Sequence, residues 1–280
     1  MNDLIERALA EDVGSGDLTS AAVVPEGALA RARIEQKAEG CIAGLRVAPA
    51  VFERVEPALS FRALVEEGEW RTGGPVAEVE GPARGILGAE RVALNFLARL
   101  SGVATLTARF VRAVEGTGVR ILDTRKTTPG MRALEKEAVL AGGGESHRGG
   151  LHDALLVKEN HVTLAGGVEE AARRALADAP DGAVVQLECR SLEEVEQALA
   201  AGVGLVLLDN MTTAELAEAV RLCDGRAETE ASGGITLHTV RAIAETGVDR
   251  ISVGALTNSA PALDLSLLLE PLPQAPGGAA

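Results

Sequence analysis

From about residue 119 onward the chain repeats one pattern. A short apolar run ends in polar or charged residues and is mostly followed by apolar positions at helical spacing. The runs are "VRILDTRKT" (119–127), "DALLVKENH" (153–161), "AVVQLECRS" (183–191), "VGLVLLDNM" (203–211), "AETEASGGI" (227–235) and "RISVGALT" (250–257). Amphipathic segments lie between the later runs, at 167–179, 191–202, 212–223 and 236–247. Nearly all-apolar strands alternating with helices predict a parallel sheet covered by helices. Ser191 with Glu194 predicts a capping-box start, and Gly202 and Gly247 stand where helices should stop. A TIM-type barrel and an open doubly wound sheet share this rhythm. Polar groups at the end of nearly every run, rather than at one switch point, favour the barrel.

Residues 1–100 are patterned differently. A short amphipathic helix around Leu4–Ala10 precedes a Gly/Asp loop, and residues 30–44 and 75–85 alternate as half-exposed antiparallel strands punctuated by glycines. Helical spacing predicts one helix over 89–100 and another over 103–115. The last ten residues, "PLPQAPGGAA", read as an unstructured tail.

The chain of 280 residues is long enough for one large α/β domain or two, and 46% hydrophobic with 24% charged residues is a globular composition. A net charge of -14 and 2% aromatics exclude both a broad phosphate-neutralising surface and base-stacking platforms, so no nucleic-acid partner is expected. No apolar stretch is long enough to span a bilayer and the N-terminus is acidic and amphipathic, which predicts a soluble cytoplasmic protein with no membrane partner. Cys41, Cys189 and Cys223 are far apart and suggest neither a disulfide framework nor a zinc site; Cys41 and Cys223 read as small buried hydrophobes.

Against this acidic background, residues 120–158 hold seven Arg/Lys and five Asp/Glu. In a barrel the residues just past the strand ends meet on one face. Delivered there are Asp123, Arg125 and Lys126; Lys158, Glu159 and Asn160; Glu188 and Arg190; Asp209 and Asn210; Ser232, Gly233 and Gly234; and Gly254 with Ala255. A cluster of Arg125, Arg148 and Lys158 suits a substrate with fixed anionic groups. Arg132 and Lys136 share a helix-like stretch with Glu135 and Glu137 and read as surface ion pairs. The small-residue turns "ASGGI" and "SVGAL" each lead toward a helix after the last two strands, where barrels often hold a phosphate. Glu188 and Asp209 end the middle strands. They suit a phosphate-bound Mg²⁺, ribose hydroxyls or a developing positive charge, three roles the pattern does not separate. His147, His152 and His161 lack zinc spacing. His147 is read as hydrogen-bonding the substrate and the other two as structural.

Together, "ERVALNFLARLSGVAT", "LDTRKTTPGMR", "GGGESHRGGLHDALLVKENH", "LECRS", "LLDNM", "EASGGI" and "ISVGALT" closely resemble the quinolinate phosphoribosyltransferase family, in order and spacing, from about residue 11 to about residue 265. Ser146 stands where that family often has Asn, and Glu159 where Asp is common. The resemblance implies phosphoribosyl transfer from phosphoribosyl pyrophosphate to quinolinate, with decarboxylation and Mg²⁺, in NAD biosynthesis. It implies that Arg91, Arg125, His147, Arg148 and Lys158 line the quinolinate pocket, with Arg91 donated by the neighbouring subunit of a homodimer or higher homo-oligomer. Lys126 would face the pyrophosphate, Glu188 and Asp209 the ribose and metal, and Ser232, Gly233, Gly234, Gly254 and Ala255 the 5′-phosphate. The implied fold is an N-terminal α/β sandwich (1–104, joined by 262–280) plus an incomplete TIM-like α/β barrel (105–261).

Overall fold

Alternation builds the first sheet. In strand β1 (Leu29–Gln36), Ala30, Ala32, Ile34 and Gln36 are buried while the residues between them face outward, as a period of two requires. The computed structural model describes residues 1–273. It comprises two compact units, the first formed by residues 1–106, 129–142 and the segment from Ala260, the second by 107–128 and 143–259.

The first unit adds β2 (Gly40–Cys41), β3 (Ser60–Ala63), β4 (Trp70–Arg71) and β5 (Gly74–Pro82). Its main sheet is antiparallel in the order Leu265–Pro271, β1, β5, β3, and β2 pairs with β4 in a small separate ladder. Pro271, expected from the sequence to begin a loose tail, pairs with Ala30 as the end of that outer strand. Residues 274–280 of the tail lie outside the described residues.

The two helices expected over 89–100 and 103–115 are one, Ala83–Ala113. Ser101, Gly102 and Thr105 resemble an interruption but form a docking face. The Ser101 and Thr105 hydroxyls accept hydrogen bonds from the amides of Ala43 (3.0 Å) and Cys41 (2.9 Å). A Cβ at Gly102 would lie 2.0 Å from the carbonyl oxygen of Pro261, so only glycine permits that approach. Helix Arg132–Ala141 belongs to this unit, and while Glu137 forms an exposed pair with Arg46, two of its polar residues are not on the surface as expected. Glu135 is fully buried against Arg99 at 2.7 Å, and Lys136 is also buried. Helical spacing shows which residues share a face but not what covers it.

The second unit holds β6 (Arg120–Leu122), β7 (Leu155–Val157), β8 (Val185–Cys189), β9 (Leu205–Asp209), β10 (Glu228–Ser232) and β11 (Arg250–Ser252). All pairings are parallel, in the order β6-β11-β10-β9-β8-β7. Gln186 on β8 donates to Glu230 on β10 at 2.9 Å, across the intervening β9, so the sheet is concave. The barrel is incomplete between β6 and β7. There the main chain at Glu145 stands in for a strand, giving its amide to Ile121 (2.8 Å) and accepting from Asp123 (3.2 Å).

Helices follow β7 to β10 as Val168–Asp178, Leu192–Ala200, Thr213–Cys223 and Val240–Ala244. Gly202 and Gly247 sit at φ +86° and +91° just beyond two of them, as left-handed helix stops. The box expected at Ser191 is only half formed: its hydroxyl accepts from the Glu194 amide (3.2 Å), but the Glu194 carboxylate takes the Arg190 amide (2.7 Å). The reciprocal box is at Thr212 and Glu215. An additional short helix, Glu159–Ala165, follows β7 directly.

Ala normally stabilises a helix relative to Gly, but Gly102→Ala places its methyl against a backbone carbonyl. It should destabilise the protein by about 2 kcal/mol, read as a lower urea midpoint at unchanged m-value.

Candidate active site

Where β6 ends, Asp123 turns inward and is fully buried. Its carboxylate accepts from the His147 amide (2.9 Å) and the Ser146 hydroxyl (3.0 Å), binding the 146–148 segment to the strand that leads into Arg125 and Lys126. Lys126 is placed by its backbone: its amide donates to Thr124 Oγ1 (3.1 Å) and its carbonyl accepts from Thr257 Oγ1 (2.8 Å). Its stem crosses Gly254, where a Cβ would lie 3.1 Å from Lys126 Cδ. A cleft of about 270 Å³ results, lined by Arg125, Lys126, His147, Arg148, Leu156 and Lys158. Burial, and next the charge of Arg125, push the Arg148 guanidinium below its ordinary value, although arginine stays charged. The fold therefore holds the Arg125 and Arg148 guanidinium groups near each other on one cleft.

One carboxylate borders the cleft, and a second ends the next strand. Glu188, at the end of β8, pairs with Lys158 Nζ at 2.7 Å. Asp209, at the end of β9, accepts from Asn210 Nδ2 at 2.7 Å. The neighbouring turn runs from Ser232 through Gly233 (φ +98°) and Gly234 (φ +61°). The helices after the two glycine turns are only Val240–Ala244 and Ala255–Asn258, so phosphate binding there would fall to turn amides rather than a long helix dipole. Among the described residues no three His, Cys, Asp or Glu converge as a metal centre. Glu188 and Asp209 offer carboxylate oxygens without imidazole or thiolate. That set fits a hard divalent cation that keeps waters and ligand oxygens.

Behind His147 lies a buried carboxylate that sequence reasoning passed over. Glu230 is fully buried on the inner face of β10, where Oε2 accepts from Gln186 and Oε1 lies 3.4 Å from His147 Nε2, a long contact. Burial, the largest influence, pushes this carboxyl up, but hydrogen bonding with His147, Ser252 and Gln186 and the His147 charge outweigh it. Glu230 is held below its ordinary value. His147 Nδ1 in turn accepts the Arg148 amide at 2.7 Å, so one ring lies between Glu230 and Arg148. The signal was present: in "ETEAS" a carboxylate occupies an inward position of a barrel strand.

Other candidates fall elsewhere. Arg190 and Glu159 pair with each other at 2.5 Å, both about half exposed. His161 caps helix Glu159–Ala165, its Nδ1 accepting the Lys158 amide at 2.9 Å, and His152 is exposed. Arg91 is exposed on helix Ala83–Ala113 in the first unit. All three cysteines are free and buried, and burial pushes the Cys189 thiol up to about 12.

A family model described as the quinolinate phosphoribosyl transferase C-terminal domain matches residues 103–268, and the N-terminal domain of the same family matches residues 17–101. The chain is 44% identical to a nicotinate-nucleotide pyrophosphorylase (carboxylating) of Mycobacterium leprae over 95% of each protein. It is 38% identical to a probable nicotinate-nucleotide pyrophosphorylase (carboxylating) of Bacillus subtilis, over 95% of this chain and 92% of that one. The crystal structure of NadC from Streptococcus pyogenes superposes with a TM-score of 0.93 at 39% identity, covering 97% of both chains.

Because folding lowers the Glu230 pKa, its contribution to stability is present above the unfolded carboxyl range and is lost as pH falls through the folded value. Glu230→Gln should accordingly show a shallower loss of stability than wild type as pH is lowered below about 4.5. Urea melts across the acid range measure the two slopes.

Proposed function

The chain belongs to the quinolinate phosphoribosyl transferase family, and we propose that the cationic mouth of its barrel is where phosphoribosyl pyrophosphate and quinolinate react. The products are nicotinate mononucleotide, pyrophosphate and CO₂, and the reaction serves de novo NAD synthesis. The observation that carries this placement is the convergence of Arg125, Lys126, His147, Arg148 and Lys158 on one cleft in a chain of net charge -14.

Quinolinate brings two carboxylates on adjacent ring carbons. Arg125 and Arg148 match them as planar forks and Lys158 as a point charge, while His147 sets the direction of Arg148 through its amide. Held this way, the ring nitrogen faces the ribose C1. Its lone pair forms the new C–N bond as the bond from C1 to the pyrophosphate oxygen breaks. The transition state has oxocarbenium character, and Glu188 and Asp209 place negative charge beside it. Lys126 faces the departing pyrophosphate, and the turns at Ser232–Gly234 and Gly254–Ala255 hold the 5′-phosphate. After transfer the ring nitrogen is positive, so the electrons of the breaking C–CO₂ bond are accommodated beside it and a proton replaces the carboxylate. No Schiff base is needed.

Mg²⁺ would be held by Glu188 and Asp209 together with ligand oxygens, and supplies neutralisation of pyrophosphate charge. In this reading the enzyme is a homodimer in which Arg91 of one copy completes the quinolinate pocket of the other. The cleft's own lining comes from the second unit, whereas Arg91 belongs to the first. No helix among the described residues is long and apolar enough to cross a membrane, and three free thiols suit a reducing cytoplasm.

Release of pyrophosphate and CO₂ from quinolinate plus phosphoribosyl pyrophosphate, with nicotinate as the comparison acceptor, tests the reaction. Activity with nicotinate alone would overturn it. Arg125→Ala should lower kcat/KM for quinolinate about 100-fold or more with the melting temperature nearly unchanged, since one charged carboxylate contact is lost. Mixing inactive Arg91→Ala and Arg125→Ala enzymes should restore activity through hybrid dimers carrying one intact site. A fully active monomer in sedimentation would exclude the shared residue.

A further inference from the structure

Among the described residues two non-glycine positions have positive φ, Asn210 (+56°) and Asp224 (+45°). Asp224 is the left-handed cap of helix Thr213–Cys223, an ordinary helix stop. Asn210 stops no helix. It follows the last residue of β9 directly and carries a left-handed backbone beside the Ser232–Gly234 turn.

The consequence of that conformation is specific. In an extended strand neighbouring side chains point to opposite faces, so residue 210 would point away from Asp209. The left-handed turn breaks the alternation and swings the carboxamide back, and Nδ2 then donates to Asp209 Oδ2 at 2.7 Å. The Asn210 amide meanwhile donates to the Ser232 carbonyl at 2.9 Å. The same side chain lies against Gly233, where a Cβ would come within 2.2 Å of Oδ1 and 2.5 Å of Cγ. One residue is thus tied to the carboxylate at the end of β9 and to the turn at the end of β10.

We propose that Asn210 is a positioning residue that sets the distance between Asp209 and the Ser232–Gly234 turn, and so fits the site to one ribose 5-phosphate unit. The proposal rests on the reading of these two elements as ribose and 5′-phosphate contacts. Two chemical features suit Asn to the task. Its amide donates without cancelling the Asp209 charge, and asparagine tolerates the left-handed region better than most side chains. Gly233 then has a second role beside its φ of +98°, which is to leave room for the carboxamide.

Two variants separate the side chain from the backbone. Asn210→Gly keeps the left-handed conformation and removes the amide. Asn210→Asp keeps the shape and replaces the donor with a second carboxylate. Phosphoribosyl pyrophosphate with Mg²⁺ is titrated calorimetrically into each enzyme, alone and with benzene-1,2-dicarboxylate, which has quinolinate's carboxylates but no ring nitrogen. KM for both substrates and the melting temperature are measured in parallel. Asn210→Gly should melt at or above the wild-type temperature and bind phosphoribosyl pyrophosphate about tenfold more weakly, the loss of one hydrogen bond to a charged group. Its KM for quinolinate should not change. Asn210→Asp should bind phosphoribosyl pyrophosphate more weakly still. Wild-type affinity in Asn210→Gly overturns the proposal, as does an equal loss for both substrates, which a merely structural residue would produce. A wild-type enzyme that binds phosphoribosyl pyrophosphate but leaves quinolinate unconsumed would overturn the proposed reaction and leave this tether standing. One that binds no phosphoribosyl pyrophosphate overturns both.

Discussion

The buried carboxylate of Asp123 is the interaction on which the site depends. Six parallel strands leave β6 and β7 unpaired with each other, and the chain at Glu145 covers the β6 side of that seam with backbone bonds to Ile121 and Asp123. That segment is too short to be a strand, so no ladder directs the loop that continues from it. Asp123 does so instead, gripping Ser146 and the His147 amide. A carboxylate out of water is costly unless its oxygens are bonded, and here the bonds are those that aim the loop. The same residue precedes Arg125 and Lys126, so one anchor positions the cations on both sides of the cleft.

Charge is managed at two depths. At the rim, Lys158 is paired with Glu188, whereas the Arg148 charge is disfavoured by burial first and by the nearby Arg125 second. Beneath, Glu230 adds a buried negative charge reached through His147. In a chain of net charge -14, the ionisable lining of this cleft is cationic except for His147.

The first unit shows how polar residues inside apolar patterns mislead. Ser101, Gly102 and Thr105 look like the end of one helix and the start of another, yet they serve β2 and the chain at Pro261. Glu135 and Lys136 look like members of a solvated face, yet both are buried. In each case the deciding partner is distant in sequence: Ala43, Pro261 or Arg99. Local periodicity carries no information about it.

The sequence by itself determined the strand and helix rhythm after residue 119, the parallel sheet, and the residues that stand at each strand end, because strand and helix periods are local properties of neighbouring side chains. It also made Arg125, Lys126 and Lys158 recognisable as cations at the ends of apolar runs. Only the tertiary structure decided which of those residues share a cleft. Arg190 and Glu159 turned to each other, His161 became a cap, and Asp123 took the role of anchor. It alone brought out Glu230 and the tether that Asn210 makes. The first matters because barrel curvature brings β8 and β10 within hydrogen-bond reach, the second because a left-handed turn redirects one amide. Curvature and backbone handedness are set by the closing of the whole sheet, and no window of neighbouring residues contains them.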